Sequence, residues 1–193
     1  MRYFLMALAL LVSSTSGALQ IQPDNLFPRV KFVTSAGDIV VELNRAKAPL
    51  TVENFLTYIQ TGSYNNTIFH RIIPGFVVQG GGYDAEFNER TMFKPIPNES
   101  GNGLLNRFGT IAMARMSDPH SATRQFYFNL NDNESLDPSS RRWGYAVFGA
   151  VVEGIDVLEK LAEVETGVHE QMGWPDVPIE PPVLIKIDIL PAS

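Results

Sequence analysis

A mainly β fold, either a barrel or a sandwich with two separated helices, is what the sequence predicts, and three observations carry the prediction. Short apolar runs with period-two alternation recur from Arg29 to Leu190, set apart by turns rich in Gly, Pro and Asn. Only two stretches show a 3.6-residue period, and they lie far apart in the chain. No internal repeat and no compositional break divides the chain after its first two dozen residues, so one domain is expected of the 193 residues. Such a fold must close or cover its sheet edges.

The chain begins its regular structure at Arg29. In RVKFVTSAGDIVVELN, the residues Ile39, Val41 and Leu43 alternate on one side, and Gly37 belongs to a turn between two runs. This predicts a β-hairpin. In PLTVENFLTYIQTG, Val52, Phe55, Leu56 and Ile59 fall at i, i+3, i+4 and i+7. The spacing predicts an amphipathic helix opened by Pro49, capped by Thr51 and ended near Gly62. Phe69 to Gln79 holds two β-type runs joined through Pro74-Gly75, and Gly80 to Gly82 mark backbone that bends sharply or lets another group approach. From there to Gly109 the chain reads as long ordered loops, the usual place for a scaffold to display a site.

Thr110 to Ala114 and Gln125 to Leu130 read as strands flanking the loop RMSDPHSATR. In the second, Gln125 and Tyr127 face one side while Phe126 and Phe128 face the other, so one face packs and one presents. NDNESLDPSSRRWG is a polar excursion, and Tyr145 to Phe148 a further strand. Glu153 to Val164 is predicted as the second helix, with Ile155, Leu158 and Ala162 on one face. WPDVPIEPP reads as a proline-heavy loop and VLIKIDIL as a closing strand.

Hydrophobic content of 45% against 19% charged residues is that of a globular chain. A formal net charge of -6 and the lack of any basic run argue against nucleic acid as a partner. Without Cys there are no disulfides, thiolate nucleophiles or Cys-ligated metals. His70, His120 and His169 lack metal-ligand spacing, so no metal or other cofactor is expected. Asn65-Asn66-Thr67, Asn98-Glu99-Ser100 and Asn133-Glu134-Ser135 fit the glycosylation pattern, which matters only in a host that glycosylates.

Residues 1–18 read as a secretory signal peptide, with a positive start at Arg2, an apolar stretch from Tyr3 to Val12, and Ser16 and Ala18 placed for cleavage. The apolar stretch is too short to span a bilayer. Residues 19–28 are expected to be a short extended leader, and 29–193 the folded domain. This predicts a periplasmic or secreted location, with no membrane attachment after cleavage.

One stretch departs from simple strand patterning: FHRIIPGFVVQGGGY, Phe69 to Tyr83, sets the cation Arg71 inside an apolar, β-prone run. FHRIIPGFVVQGGG resembles the signature of the cyclophilins, the cyclosporin-type peptidyl-prolyl cis/trans isomerases. GTIAMAR at Gly109 to Arg115, QFYFN at Gln125 to Asn129 and YAVFGAVVEGIDVLEKL at Tyr145 to Leu161 occur in the order that family uses. The resemblance runs from about Arg29 to Leu190.

The resemblance implies a closed eight-stranded antiparallel β-barrel capped by two α-helices, its interior filled by side chains and its ligand on an outer face. It implies isomerisation of X-Pro bonds in proline-containing polypeptides, with Arg71, Phe76 and Gln79 catalytic. Phe76, Val77, Tyr127 and Leu136 match the family's proline pocket, with Ala114 on the adjacent strand. Gln79 and Gln125 match the groups that hold the substrate backbone, and Arg115 a position that meets the peptide largely through main chain. Tyr145 stands where many members have His, and its ring is expected to close the pocket rim.

Two departures carry expectations of their own. Tyr127 replaces a phenylalanine, so a hydroxyl enters or borders the pocket. Ser135 replaces a tryptophan found in many eukaryotic members, as in the bacterial branch, and weak cyclosporin binding is expected. Taken singly, Phe76 and Leu136 would read as core residues and Gln79 and Gln125 as strand-surface amides; the ordered set is what points to a site. His70 is expected to pack behind it, and the chain to be a monomer. A binding module that uses the apolar groove without catalysis is the alternative; a hydrolase is disfavoured by the lack of a nucleophile-base motif.

Overall fold

The computed structural model describes residues 21–192, so the expected signal segment lies outside the described residues. Within them the chain forms ten strands and two α-helices: β1 Arg29–Thr34, β2 Gly37–Leu43, α1 Pro49–Gln60, β3 Thr67–Ile73, β4 Val77–Gly80, β5 Thr110–Met113, β6 Phe126–Asn129, β7 Val147–Glu153, α2 Ile155–Ala162, β8 Thr166–Gly167, β9 Val177–Pro178 and β10 Val183–Ile189. Eight of them close into one barrel in the order β1-β10-β3-β4-β6-β5-β7-β2, every pair antiparallel. The remaining pair, β8 and β9, forms a small two-stranded sheet that joins the segment after α2 to the proline-heavy loop.

The barrel interior is aromatic. Phe32 packs on Phe126 and Phe128 at centroid distances of 5.5 and 5.3 Å, and Phe55 of α1 reaches Phe148 at 5.1 Å. All five rings are wholly buried, each contributing about 1.5 to 3 kcal/mol by leaving water. Because β6 alternates, sending Phe126 and Phe128 inward turns Tyr127 to the outer face.

Several expectations are corrected at the level of local structure. Thr51 does not cap α1: the cap position is Ala48, Pro49 opens the first turn, and the remote carboxylate of Glu99 accepts from the Leu50 and Thr51 amides at 3.1 and 2.8 Å and from the Thr51 hydroxyl at 2.7 Å. A carboxylate there satisfies orphan donors and complements the positive end of the helix dipole. The strand expected over Tyr145 to Phe148 instead runs Val147–Glu153, so Glu153 ends a strand, Gly154 turns at φ +85° and α2 begins at Ile155. Of the expected face Ile155, Leu158 and Ala162, Leu158 is buried as expected, but its buried companions are Val157 and Leu161, while Ile155 and Ala162 are only partly buried.

The leader is not a simple extended segment either. Gln22 takes φ +50°, and the guanidinium of Arg45, 6% exposed, donates to the carbonyls of Ile21 and Gln22 at 2.6 and 2.7 Å, to that of Asn25, and to Glu53 at 2.6 Å. A buried guanidinium requires this many acceptors, and the leader turns to supply them.

Candidate active site

Cross-strand pairing sets out a row of residues over one outer face. Arg71 on β3 pairs with Gln79 on β4, Gln79 with Tyr127 on β6, Tyr127 with Ala112 on β5, and Ala112 with Val147 on β7. Residues in register across neighbouring strands stand side by side on the same face, so a cation, an amide and an apolar floor adjoin in that order.

The floor is a second apolar cluster, separate from the barrel core: Val77, Ala112, Tyr127 and Val147 are buried, with Phe76, Leu104, Ala114, Leu136 and Tyr145 packed around them. Every expected proline-pocket residue therefore comes together. Phe76 leads into β4 after the turn that places Gly75 at φ +69°, and its carbonyl accepts from the Leu130 amide and the Asn133 side chain at 2.9 and 2.8 Å. Tyr145 stacks its edge toward Tyr127 at 5.9 Å. Arg115 covers the Tyr145 ring at 4.5 Å while its guanidinium donates to the carbonyls of Gly144, Trp143 and Met116, so this side chain is occupied within the protein.

The Tyr127 hydroxyl does not enter or border the pocket. It turns beneath the floor and donates to Asn106 Oδ1 at 2.8 Å, in a buried setting that pushes the phenol well above its ordinary range. Asn106 donates in turn to Asp137, while Asn129 donates to Asn106 and Asn133 to Asn129. This buried network ties Tyr127, Phe76 and the turn bearing Leu136 into one rigid support. Sequence reasoning missed it because Asn106 and Asn133 lie in polar loops, where Asn reads as turn chemistry, Asn129 reads as a strand end, and only the fold brings the three together.

On the cation side, Gln79 Nε2 donates to Gln125 Oε1 at 2.9 Å, joining the two expected backbone-holding amides. The glycine triplet makes this possible. A Cβ on Gly82 would lie 2.5 Å from Gln125 Nε2, and one on Gly81, at φ +83°, would lie 2.7 Å from the Phe126 ring. Arg71 lies past Gln79, its side chain 38% exposed and its Nη2 3.6 Å from the Asp176 carboxylate. A cavity of about 260 Å³ adjoins these groups, lined by His70, Arg71, Gln79, Tyr83, Gln125, Trp174, Pro175 and Val177. His70 is 6% exposed, its Nδ1 has no hydrogen-bond partner among the described residues, and burial beside the Arg71 charge lowers its pKa to about 4. It is thus neutral at physiological pH. A larger depression of about 680 Å³ lies around Phe87, His169 and Met172 and shares only Val177 with this cavity.

Sequence reasoning also missed Arg124, which is 1% exposed and donates to the carbonyls of Gly81, Thr91 and Ser63 at 2.6, 2.8 and 2.5 Å. It holds the glycine triplet and the long loop after it against the residue next to Gln125. Ser135 sits on the turn Glu134–Leu136, its carbonyl accepting from Arg142. The arrangement offers a fixed cation beside an apolar cup, with two amides between them and no nucleophile-base pair among the described residues that line it.

Residues 29–186 match the family model described as cyclophilin type peptidyl-prolyl cis-trans isomerase. The chain is 50% identical over 164 residues to peptidyl-prolyl cis-trans isomerase cyp18 of Streptomyces antibioticus, covering 83% of this chain and 98% of that one. It is 49% identical over 157 residues to peptidyl-prolyl cis-trans isomerase B of Escherichia coli, covering 78% and 96%. A crystal structure of a Cryptosporidium parvum cyclophilin type isomerase, determined in the presence of the dipeptide Ala-Pro, superposes with a TM-score of 0.67 at 26% identity, covering 85% of this chain and 99% of that one. On the sequence match, the closed barrel and the relatives together, the chain belongs to the cyclophilin-type peptidyl-prolyl cis-trans isomerases.

Proposed function

We propose that this isomerase accelerates X-Pro rotation through a hydrogen bond from Arg71 to the prolyl nitrogen of a substrate whose proline ring sits in the Phe76–Leu136 cup. The observation that carries the reading is the cross-strand row, which sets a half-exposed guanidinium beside a buried apolar floor.

The X-Pro amide resists rotation by roughly 18 to 20 kcal/mol because resonance gives its C–N bond partial double-bond character. Twisting breaks that resonance and leaves a lone pair on a pyramidal nitrogen. A donor aimed at that lone pair binds the twisted form more tightly than either planar form, and this difference lowers the barrier. An arginine suits the task since it stays charged without any proton transfer. Val77, Ala114, Tyr127 and Leu136 exclude water from one side, Tyr145 closes the rim, and Gln79 and Gln125 hold the peptide backbone while the bond turns. Arg115, its guanidinium already occupied, contributes through its main chain. The substrates are proline-containing segments of unfolded or folding polypeptides, and the charge pattern of residues 1–18 supports their being met outside the cytoplasm, in the periplasm or after secretion. The barrel's closure supports a monomer.

The test is cis-to-trans isomerisation of a short X-Pro peptide by the chain and its Arg71→Ala variant. Loss of a charged hydrogen bond made only in the transition state costs about 2 to 4 kcal/mol, so kcat/KM falls at least several tens of fold with the thermal midpoint unchanged. Near-normal turnover in the variant removes Arg71 from the chemistry. If both proteins bind proline peptides and neither turns them over, the groove is a docking module. Ser135 presents no indole N–H where many eukaryotic relatives do, and cyclosporin is expected to inhibit only above the micromolar range. Submicromolar inhibition refutes that part of the reading.

A further inference from the structure

An arginine side chain on an open face samples many rotamers, and a donor that must meet one nitrogen loses rate to that freedom. The cross-strand neighbour of Arg71, Gln79, is already engaged by Gln125. The carboxylate 3.6 Å from Arg71 Nη2 belongs to Asp176, on the loop between β8 and β9.

That loop is registered on both sides of Arg71. On one side the carbonyl of Asp176 accepts from the amide of Ile72, the next residue along β3, at 2.9 Å. On the other, His70 meets the Tyr83 ring at 4.8 Å and Tyr83 meets Trp174 at 5.2 Å, a chain of rings leading back to the same loop. Asp176 itself takes φ +60°, a left-handed conformation open to Asp, Asn and Gly at lower cost than to other residues. Backbone, rings and main-chain angle thus agree in bringing this one carboxylate to this one cation.

We infer that Asp176 is a positioning residue for Arg71: its carboxylate holds one edge of the guanidinium so that the remaining N–H donors face the prolyl nitrogen. The inference rests on the reading of Arg71 as the donor. Both partners are more than a third exposed, and pairs of that kind contribute little to stability. Its effect is on the aim of the donor.

Asp176→Asn tests this, because Asn keeps the left-handed conformation and the main-chain bond to Ile72 while removing the charge. Turnover of a short X-Pro peptide is expected to fall roughly two- to fivefold, the range an exposed ion pair supplies, in kcat rather than KM. The thermal midpoint stays at the wild-type value. Salt gives a second readout: between about 0.01 and 1 M the screening length falls from roughly 30 to 3 Å, so the wild-type rate drops toward that of Asp176→Asn while the variant's rate stays level. Arg71→Ala measured alongside separates the two ideas. If it too is fully active, the donor reading falls. If it is inactive while Asp176→Asn matches wild type in rate and salt response, Asp176 only anchors the loop and the inference is overturned.

Discussion

Arg124 and Arg71 carry the same guanidinium to opposite ends. Arg124 is wholly enclosed between the rings of Tyr58 and Tyr64, at 5.2 and 5.4 Å, and donates to three main-chain carbonyls. Arg71 is half-buried on the outer face and faces one carboxylate at the longer distance of 3.6 Å. A cation whose donors are all satisfied by backbone fixes loops in place. One whose donors are mostly free can serve a ligand. The glycine triplet lies between these roles, with Arg124 holding Gly81 from inside and Gln125 packed over Gly82 beside the site.

The comparison breaks most visibly at Arg124. Arg124→Met keeps the length and removes the donors, leaving the carbonyls of Ser63, Gly81 and Thr91 unpaired, at about 1 to 3 kcal/mol each. A stability loss of about 3 kcal/mol or more is expected in urea unfolding, with isomerisation lost only as the fold is lost. Full stability with no activity would place Arg124 in the chemistry and erase the contrast with Arg71.

A smaller effect sharpens it through pH. His70 has a folded pKa of about 4, below the unfolded value of about 6.5, because burial and the adjacent Arg71 charge disfavour its protonated form. The stability this confers is complete above about pH 6.5 and is lost as the pH falls toward 4, up to about 3 kcal/mol in all. Urea midpoints from pH 7.5 to 4 should show that slope, and His70→Gln should flatten it. Isomerisation, by contrast, should be level around neutrality, since a guanidinium donor needs no proton transfer and His70 stays neutral.

Much of the fold was legible because alternation and helical period leave plain marks. The inward set on β2 and the split of β6, with Tyr127 opposite Phe126 and Phe128, follow from period two alone. The family motifs by themselves grouped Arg71, Phe76, Gln79 and Gln125 into one site. What stayed hidden was long-range satisfaction of polar groups. Glu99 caps a helix whose sequence pointed to Thr51, Asn106 accepts the hydroxyl that was expected at the pocket, and Asp176 approaches Arg71 from a loop that reads only as proline-rich. A polar group's partner is set by tertiary approach, and residue spacing carries no record of it.

The closure of the barrel bears on how the chain comes to exist. β1 lies between β2, its immediate successor, and β10, more than 140 residues downstream, with Val30 paired to Ile189 and Lys31 to Asp188. The hairpin can form early, but the ring cannot be completed until β10 has left the ribosome. Pairings between distant segments demand loop closure before they repay it, and folds that depend on them are slow to form. A nascent chain of this protein therefore stays open until β10 has been made, a state compatible with threading through a narrow pore before folding.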